Sequence, residues 1–252
     1  MGDEVHGLPG FYATPAGRVA ARLLRARLAA IWPSAKGERV LGIGWTSPYM
    51  GLWRDGAERC IALVPAHLGD APRGPGAVWA DEVRLPFADR AFDRVVMVHG
   101  LEASEDVRRA MREIWRVLAE DGRLLVVAPN RRGMWAHMEH TPFGHGRPYS
   151  SGQLSRLLTR HLFEVERRDT ALFIPPFGWR PLLRGARVWE ALGRALAPRF
   201  AGVAIMEARK SVWAGLPAGE KVVRRVVVEV GAGAPRRPIS RGEVSRGEAS
   251  EG

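Results

Sequence analysis

The feature that most constrains this chain is a change of pattern at Arg39. From there to Pro129, short apolar runs alternate with stretches of helical spacing. Runs at 39–44, 60–64, 77–80, 93–99 and 122–129 read as buried strands. Residues 48–54 and 104–118 read as helices. In the second, Val107, Met111, Ile114, Trp115 and Leu118 recur at helical spacing. Strands separated by helices lie parallel, because a parallel partner needs a crossover long enough to hold a helix. The expected fold is α/β: a doubly wound, Rossmann-like sheet, mostly parallel.

The flanks read differently. Residues 1–13 look like a loose leader. Thr14 then caps a helix that has Pro15 at its first position and Val19, Leu23, Leu24, Leu28 and Ile31 on its apolar face, ending at Pro33. Residues 130–150 form a long loop rich in Gly, Pro and His, and loops of that length are usually functional. A helix at 151–161, a strand at 163–174, a helix at 181–196 and a strand at 202–213 follow. The expected organisation is a helical leader at 1–35, the main domain at 36–216 and a mostly disordered Arg-, Gly-, Glu- and Pro-rich tail at 217–252, with one strand-like run at 222–230.

Composition excludes several classes. The lone Cys60 rules out a disulfide framework and a multi-thiolate metal site, and points to the reducing cytoplasm. Cys60 itself reads as an inert strand residue. No apolar run reaches the roughly 18 residues of a membrane span. The net charge is +11, yet Lys36, Lys210 and Lys221 are the only lysines. The arginine excess permits weak nucleic-acid contact, but no basic run interleaved with aromatics marks a dedicated surface. The expected partner is a small molecule. The sequence leaves the oligomeric state open.

In an open α/β sheet, ligands bind beyond the carboxyl ends of the strands. There the first strand offers Gly42 and Gly44, then Trp45, Thr46, Ser47 and Pro48. These glycines serve either ligand approach or a tight turn. Asp81 and Glu82 follow the third strand, and His99 ends the fourth, with Glu102 just beyond. The loop at 130–150 carries His137, Glu139, His140, His145, Arg147 and Tyr149. A histidine suits a general base at neutral pH, so His99, His140 and Tyr149 are the catalytic candidates. His99 is equally a half-buried residue capping its strand. Arg147 and Tyr149 either bind an acidic acceptor or tie the loop back to the domain. The histidine spacing matches no metal signature, and no metal is expected.

The order of pieces resembles the class I S-adenosylmethionine-dependent methyltransferases, in particular the small-molecule "type 11"-like group. The resemblance runs from about Arg39 to Asn130. It is carried by Leu85-Pro86-Phe87 and by Arg112-Glu113-Ile114-Trp115-Arg116-Val117-Leu118. It implies a reversed final strand, S-adenosylmethionine as cofactor and methyl transfer to a small molecule. It places Gly44 under the methionine part of the cofactor, Asp81 against the adenine amine, Glu82 beside it on the backbone approach, and His99 near the donor methyl. Gly42 stands where the family usually has an acid, and Thr46 and Pro48 replace two glycines of its turn. The family's ribose-clamping acid has no counterpart in Ala62-Leu63-Val64-Pro65-Ala66. Bonds to a charged group contribute about 1.5–3 kcal/mol each, so its loss implies cofactor binding at least about tenfold weaker. The alternative is a methyltransferase-like domain, weakly active or inactive, that serves as a binding or regulatory protein. A nicotinamide-dependent dehydrogenase fits poorly, since the Gly-x-Gly-x-x-Gly fingerprint is missing. No Asn-Pro-Pro-Tyr or Asp-Pro-Pro-Tyr motif points to a base amine as target.

Overall fold

The computed structural model describes residues 7–65, 68, 76–138, 141–175 and 185–211. Residues 1–217 form one unit, and a second, 218–252, lies outside the described residues together with the strand-like run at 222–230.

Thr14 caps α2 (Pro15–Ile31) as its spacing predicts, its side chain accepting from the Gly17 amide at 3.0 Å. The segment before it is not loose. Leu8–Ala13 is a helix, α1, that buries Leu8, Phe11 and Tyr12. Those residues fall at helical spacing, and Phe11 finds edge-on partners in Trp135 and Phe143. Tertiary burial therefore holds a helix too short to persist alone.

Among the described residues seven strands follow: β1 (Arg39–Gly44), β2 (Arg59–Val64), β3 (Ala77–Trp79), β4 (Phe92–Val98), β5 (Leu118–Pro129), β6 (Phe163–Ala171) and β7 (Val203–Lys210). The helices between them are α3 (Ser47–Met50), α4 (Val107–Val117), α5 (Ser151–Arg160) and α6 (Ala186–Leu196). The strand order is β3-β2-β1-β4-β5-β7-β6. Strands β1 to β5 pair in parallel, and β7 runs antiparallel to both β5 and β6. This is the expected mostly parallel sheet with a reversed final strand.

Strand alternation divides the core in two. Val40, Val96, Val98, Leu125 and Val127 face α1 and α2. Leu41, Ile43, Val95, Met97, Leu124 and Val126 face the other way, onto Met111, Ile114, Leu154 and Leu158 of α4 and α5. Several boundaries differ from the sequence reading: α3 ends at Met50 where 54 was expected, α4 spans Val107–Val117 within 104–118, β6 ends at Ala171 where 174 was expected, and β7 spans Val203–Lys210 within 202–213. The turn expected at Asp121-Gly122 lies inside β5. There the register jumps from Phe92↔Leu118 to Arg94↔Arg123, so β5 absorbs the extra residues as an irregularity without ending. The helix expected at 181–196 is described only as Ala186–Leu196, since 176–184 lie outside the described residues.

The start of β1 is fixed to β4 by Arg39, which donates Nε and Nη2 to the Asp93 carboxylate at 3.0 and 2.8 Å. These hydrogen bonds hold the Asp93 carboxyl below its usual range. A depressed carboxyl stabilises the fold above the unfolded pKa of about 3.9 and loses that contribution as pH falls through the folded value. The pair is about one-third exposed, so Asp93→Asn should cost only about 0.5–1 kcal/mol at neutral pH. Urea unfolding between neutral and acid pH checks this: variant and parent should converge at low pH.

Candidate active site

Strand β1 has β2 on one side and β4 on the other, so the chain changes direction there. A crevice opens at the carboxyl ends of strands at such a point. Two loops meet at that end of the sheet, one after β1 and one after β4.

The first loop is set by Gly44, which has φ +87°. A Cβ there would lie 2.3 Å from the Val98 carbonyl oxygen and 2.9 Å from the Gly100 amide. The next residue, Trp45, donates its amide to that same carbonyl at 2.7 Å. Gly44 therefore lets the two loops meet backbone to backbone. At Gly42 a Cβ would lie 2.3 Å from Thr46 Oγ1 and 2.6 Å from Met50 Sδ. The space above Gly42, where an acid stands in the resembled family, is filled by Thr46 and Met50.

The second loop begins at His99, whose φ is +55°. Its ring is 3% exposed and bonded on both sides. Nδ1 lies 2.9 Å from Glu102 Oε1, and Nε2 lies 2.8 Å from the Tyr12 hydroxyl. The Tyr49 hydroxyl donates to Tyr12 at 3.5 Å. Burial pushes both phenols above their usual pKa, Tyr12 most strongly. They hold their protons, so donation runs Tyr49 to Tyr12 to His99 Nε2, and from His99 Nδ1–H to Glu102. Tyr12 also stacks on Trp45, with centroids 6.0 Å apart, and Phe143 meets His99 edge-on at 4.7 Å. Helix α1 thus reaches across both loops.

Four buried polar atoms in these loops have no hydrogen-bond partner among the described residues: Trp45 Nε1, Thr46 Oγ1, Glu102 Oε2 and Ser104 Oγ. An unsatisfied buried group costs about 1–3 kcal/mol. They are concentrated at the switch point, the place where open α/β sheets bind their ligands.

Asp81 is exposed just beyond β3, with Oδ1 accepting from the Val83 amide at 3.0 Å, while Glu82 beside it is buried. The end of β2 is Ala62-Leu63-Val64-Pro65, all buried. The next acid, Asp70, lies outside the described residues, as do Glu139 and His140. Cys60 is half-buried, and burial pushes its thiol up. His137 is exposed and bonds the Gly133 carbonyl through Nδ1 at 3.0 Å, and His145 is exposed. Among the described residues no group of three metal-binding side chains comes together. No described helix is long and apolar enough to cross a membrane.

The loop at 130–150 is tied down at both ends. Tyr149 donates its amide to Pro129 and accepts from the Arg131 amide. Asn130 Nδ2 donates to the carbonyls of Arg199 and Ala201. Arg147 donates its amide to the Glu102 carbonyl at 3.1 Å, and Gly146, with φ +78°, passes so close that a Cβ would lie 2.4 Å from the same oxygen. Tyr149 is half-buried, and its hydroxyl is pushed up by that burial and by Glu102. Two cavities flank the loop. One, of about 500 Å³, is apolar and includes Met134, Trp135, Phe173, Trp189 and Leu192. The other, of about 600 Å³, includes Tyr149 and four arginines.

Sequence reasoning placed Gly42, Gly44, Asp81, Glu82 and His99 around one end of the sheet. It missed Tyr12, Tyr49, Trp45 and Ser104. Tyr12 carried a signal in the spacing of Leu8, Phe11 and Tyr12, whereas the pairing of Tyr12 with His99 had none.

The strand order and the reversed β7 define the fold of the class I methyltransferases. It matches a solved S-adenosylmethionine-dependent methyltransferase of Thermotoga maritima, a possible histamine N-methyltransferase, with a TM-score of 0.56 at 18% identity over 78% of this chain and 92% of that one. It also matches the 1,6-didemethyltoxoflavin-N1-methyltransferase of Burkholderia thailandensis, solved with that compound and S-adenosylhomocysteine bound, with a TM-score of 0.51 at 16% identity over 76% of this chain and 78% of that one. Within this fold, residues 55–126 match the family model described as a methyltransferase domain. The chain is 36% identical over 91 residues to a demethylmenaquinone methyltransferase of Thermobifida fusca, covering 36% of this chain and 34% of that protein. It spans about a third of the length of the curated relatives it matches.

Proposed function

We propose that this chain catalyses methyl transfer from S-adenosylmethionine to a small-molecule acceptor, in the cytoplasm. The observation that carries the reading is the set of unpartnered buried polar atoms on Trp45, Thr46, Glu102 and Ser104, at the switch point of a methyltransferase fold. Bound there, the cofactor supplies an electrophilic methyl on a sulfonium leaving group. The chain's own residues then have to position the reactants and exclude water, and positioning alone contributes up to about 7–11 kcal/mol in favourable cases. Gly44 keeps the β1 loop against β4. Asp81, exposed at the end of β3, accepts from the adenine amine, with Glu82 beside it. Both nitrogens of His99 are engaged, so we assign it to holding the loops and α1 together. Tyr149, between Glu102 and the arginine-lined cavity, faces the acceptor side. A small acceptor agrees with relatives named for demethylmenaquinone.

A second reading is a methyltransferase-like domain that binds a partner without efficient catalysis. The acid-free end of β2 favours it. Calorimetric titration with S-adenosylmethionine separates the two. The enzyme reading expects micromolar binding, weakened about tenfold or more in Asp81→Ala, with the melting temperature little changed because Asp81 is exposed and its bond from the Val83 amide is a local one. No heat up to millimolar cofactor would favour the second reading.

A further inference from the structure

The cavity of about 600 Å³ beside the 130–150 loop is bordered by Arg131, Arg147, Arg156 and Arg160, with Tyr149 and Gln153 between them. Among the described residues no carboxylate lines it. Arg156 and Arg160 stand one turn apart on α5 and therefore share a face. Arg131 and Arg147 sit on backbone segments fixed through Tyr149 and through the Glu102 carbonyl. Among the described residues none of the four guanidinium groups forms an ion pair, whereas Arg39, Arg94, Arg116 and Arg123 do. Four like charges around one concavity repel each other, and a multivalent anion would turn that repulsion into attraction. Guanidinium groups also match phosphate oxygens in geometry, two bonds at a time.

We propose that this cavity binds a phosphate or diphosphate group and anchors the charged end of a phosphorylated acceptor. The role as acceptor anchor rests on the methyl-transfer reading; the anion site itself does not. The cavity shares a wall with the crevice, since Arg147 is bonded to the backbone of Glu102 and Glu102 to His99. The donors converge on one concavity. A nucleic-acid strand needs a track of charge with stacking platforms, which favours a small ligand.

Calorimetric titration of the full chain with pyrophosphate at low salt tests the site. Binding at about 100 μM or tighter is expected, weakened about tenfold in Arg156→Gln and in Arg160→Gln and weakened by added salt. Arg112→Gln, on the exposed face of α4 outside the cavity, should bind as the parent does. S-adenosylmethionine affinity should be equal in all of these proteins, so failure of the donor titration would count against methyl transfer and leave the anion site standing. Arginine-dependent sedimentation with phosphatidic acid vesicles would assign the phosphate to a lipid headgroup, and its absence to a soluble acceptor. No pyrophosphate heat up to about 10 mM, or equal weakening in Arg112→Gln, would overturn the proposal. Tighter binding of a single-stranded oligoribonucleotide through the same arginines would also overturn it.

Discussion

Gly44→Ala is expected to destabilise the protein by about 3 kcal/mol or more and to abolish cofactor binding. Two costs add. A side chain at φ +87° costs roughly 1–2 kcal/mol. A Cβ placed 2.3 Å from the Val98 carbonyl oxygen cannot be relieved by a rotamer change, because the obstacle is backbone, and overpacking of this kind costs about 1–3 kcal/mol. Relief requires the β1 loop to separate from β4, which disrupts the place where Trp45, Thr46 and Ser104 hold their buried, unpartnered polar atoms. Urea unfolding measures the first effect and cofactor titration of the folded fraction the second. A variant as stable as the parent would show that the two loops do not meet as described.

His99→Ala should be nearly as damaging, at about 3–4 kcal/mol. It removes the acceptor of the Tyr12 hydroxyl and the donor to Glu102 Oε1 together, leaving Tyr12 only its long bond from Tyr49 and the buried carboxyl oxygen none, at about 1–3 kcal/mol each. Tyr12→Phe removes one of those bonds and should cost about 1–2 kcal/mol. The pair also predicts an alkaline limit. The folded state holds Tyr12 and Tyr49 protonated above the ordinary phenol value of about 10. A raised pKa means that the folded state keeps a proton the unfolded state releases, so stability falls as pH rises past about 10. That fall should be shallower in Tyr12→Phe. Equal slopes in parent and variant would place the phenols in water.

What could be read in advance follows from the range of the forces. Strands β1 and β4 were legible because Val, Leu and Ile runs must be buried on both faces of a parallel sheet. Thr14 and Pro15 announced α2 because a cap is a local bond. Helix α1 showed only in the spacing of Leu8, Phe11 and Tyr12. Gly7, Pro9 and Gly10 read locally as a loop, and the partners that bury its aromatic face, Trp45, His99, Trp135 and Phe143, lie far along the chain. The same holds for the site. Gly44, Asp81 and His99 fall at strand ends, where topology directs attention. The bond from Tyr12 to His99 joins positions 87 residues apart, and no periodicity encodes it. The i, i+4 spacing of Arg156 and Arg160 is visible in the sequence, but their convergence with Arg131 and Arg147 depends on how the 130–150 loop closes.

If S-adenosylmethionine binds between the β1 and β4 loops, bound S-adenosylhomocysteine should protect the backbone there. Hydrogen exchange of backbone amides, with and without saturating S-adenosylhomocysteine, should show slowed exchange confined to three segments, 44–50, 81–85 and 99–104. Exchange unchanged in all three, or slowed only elsewhere on the sheet, would contradict binding there.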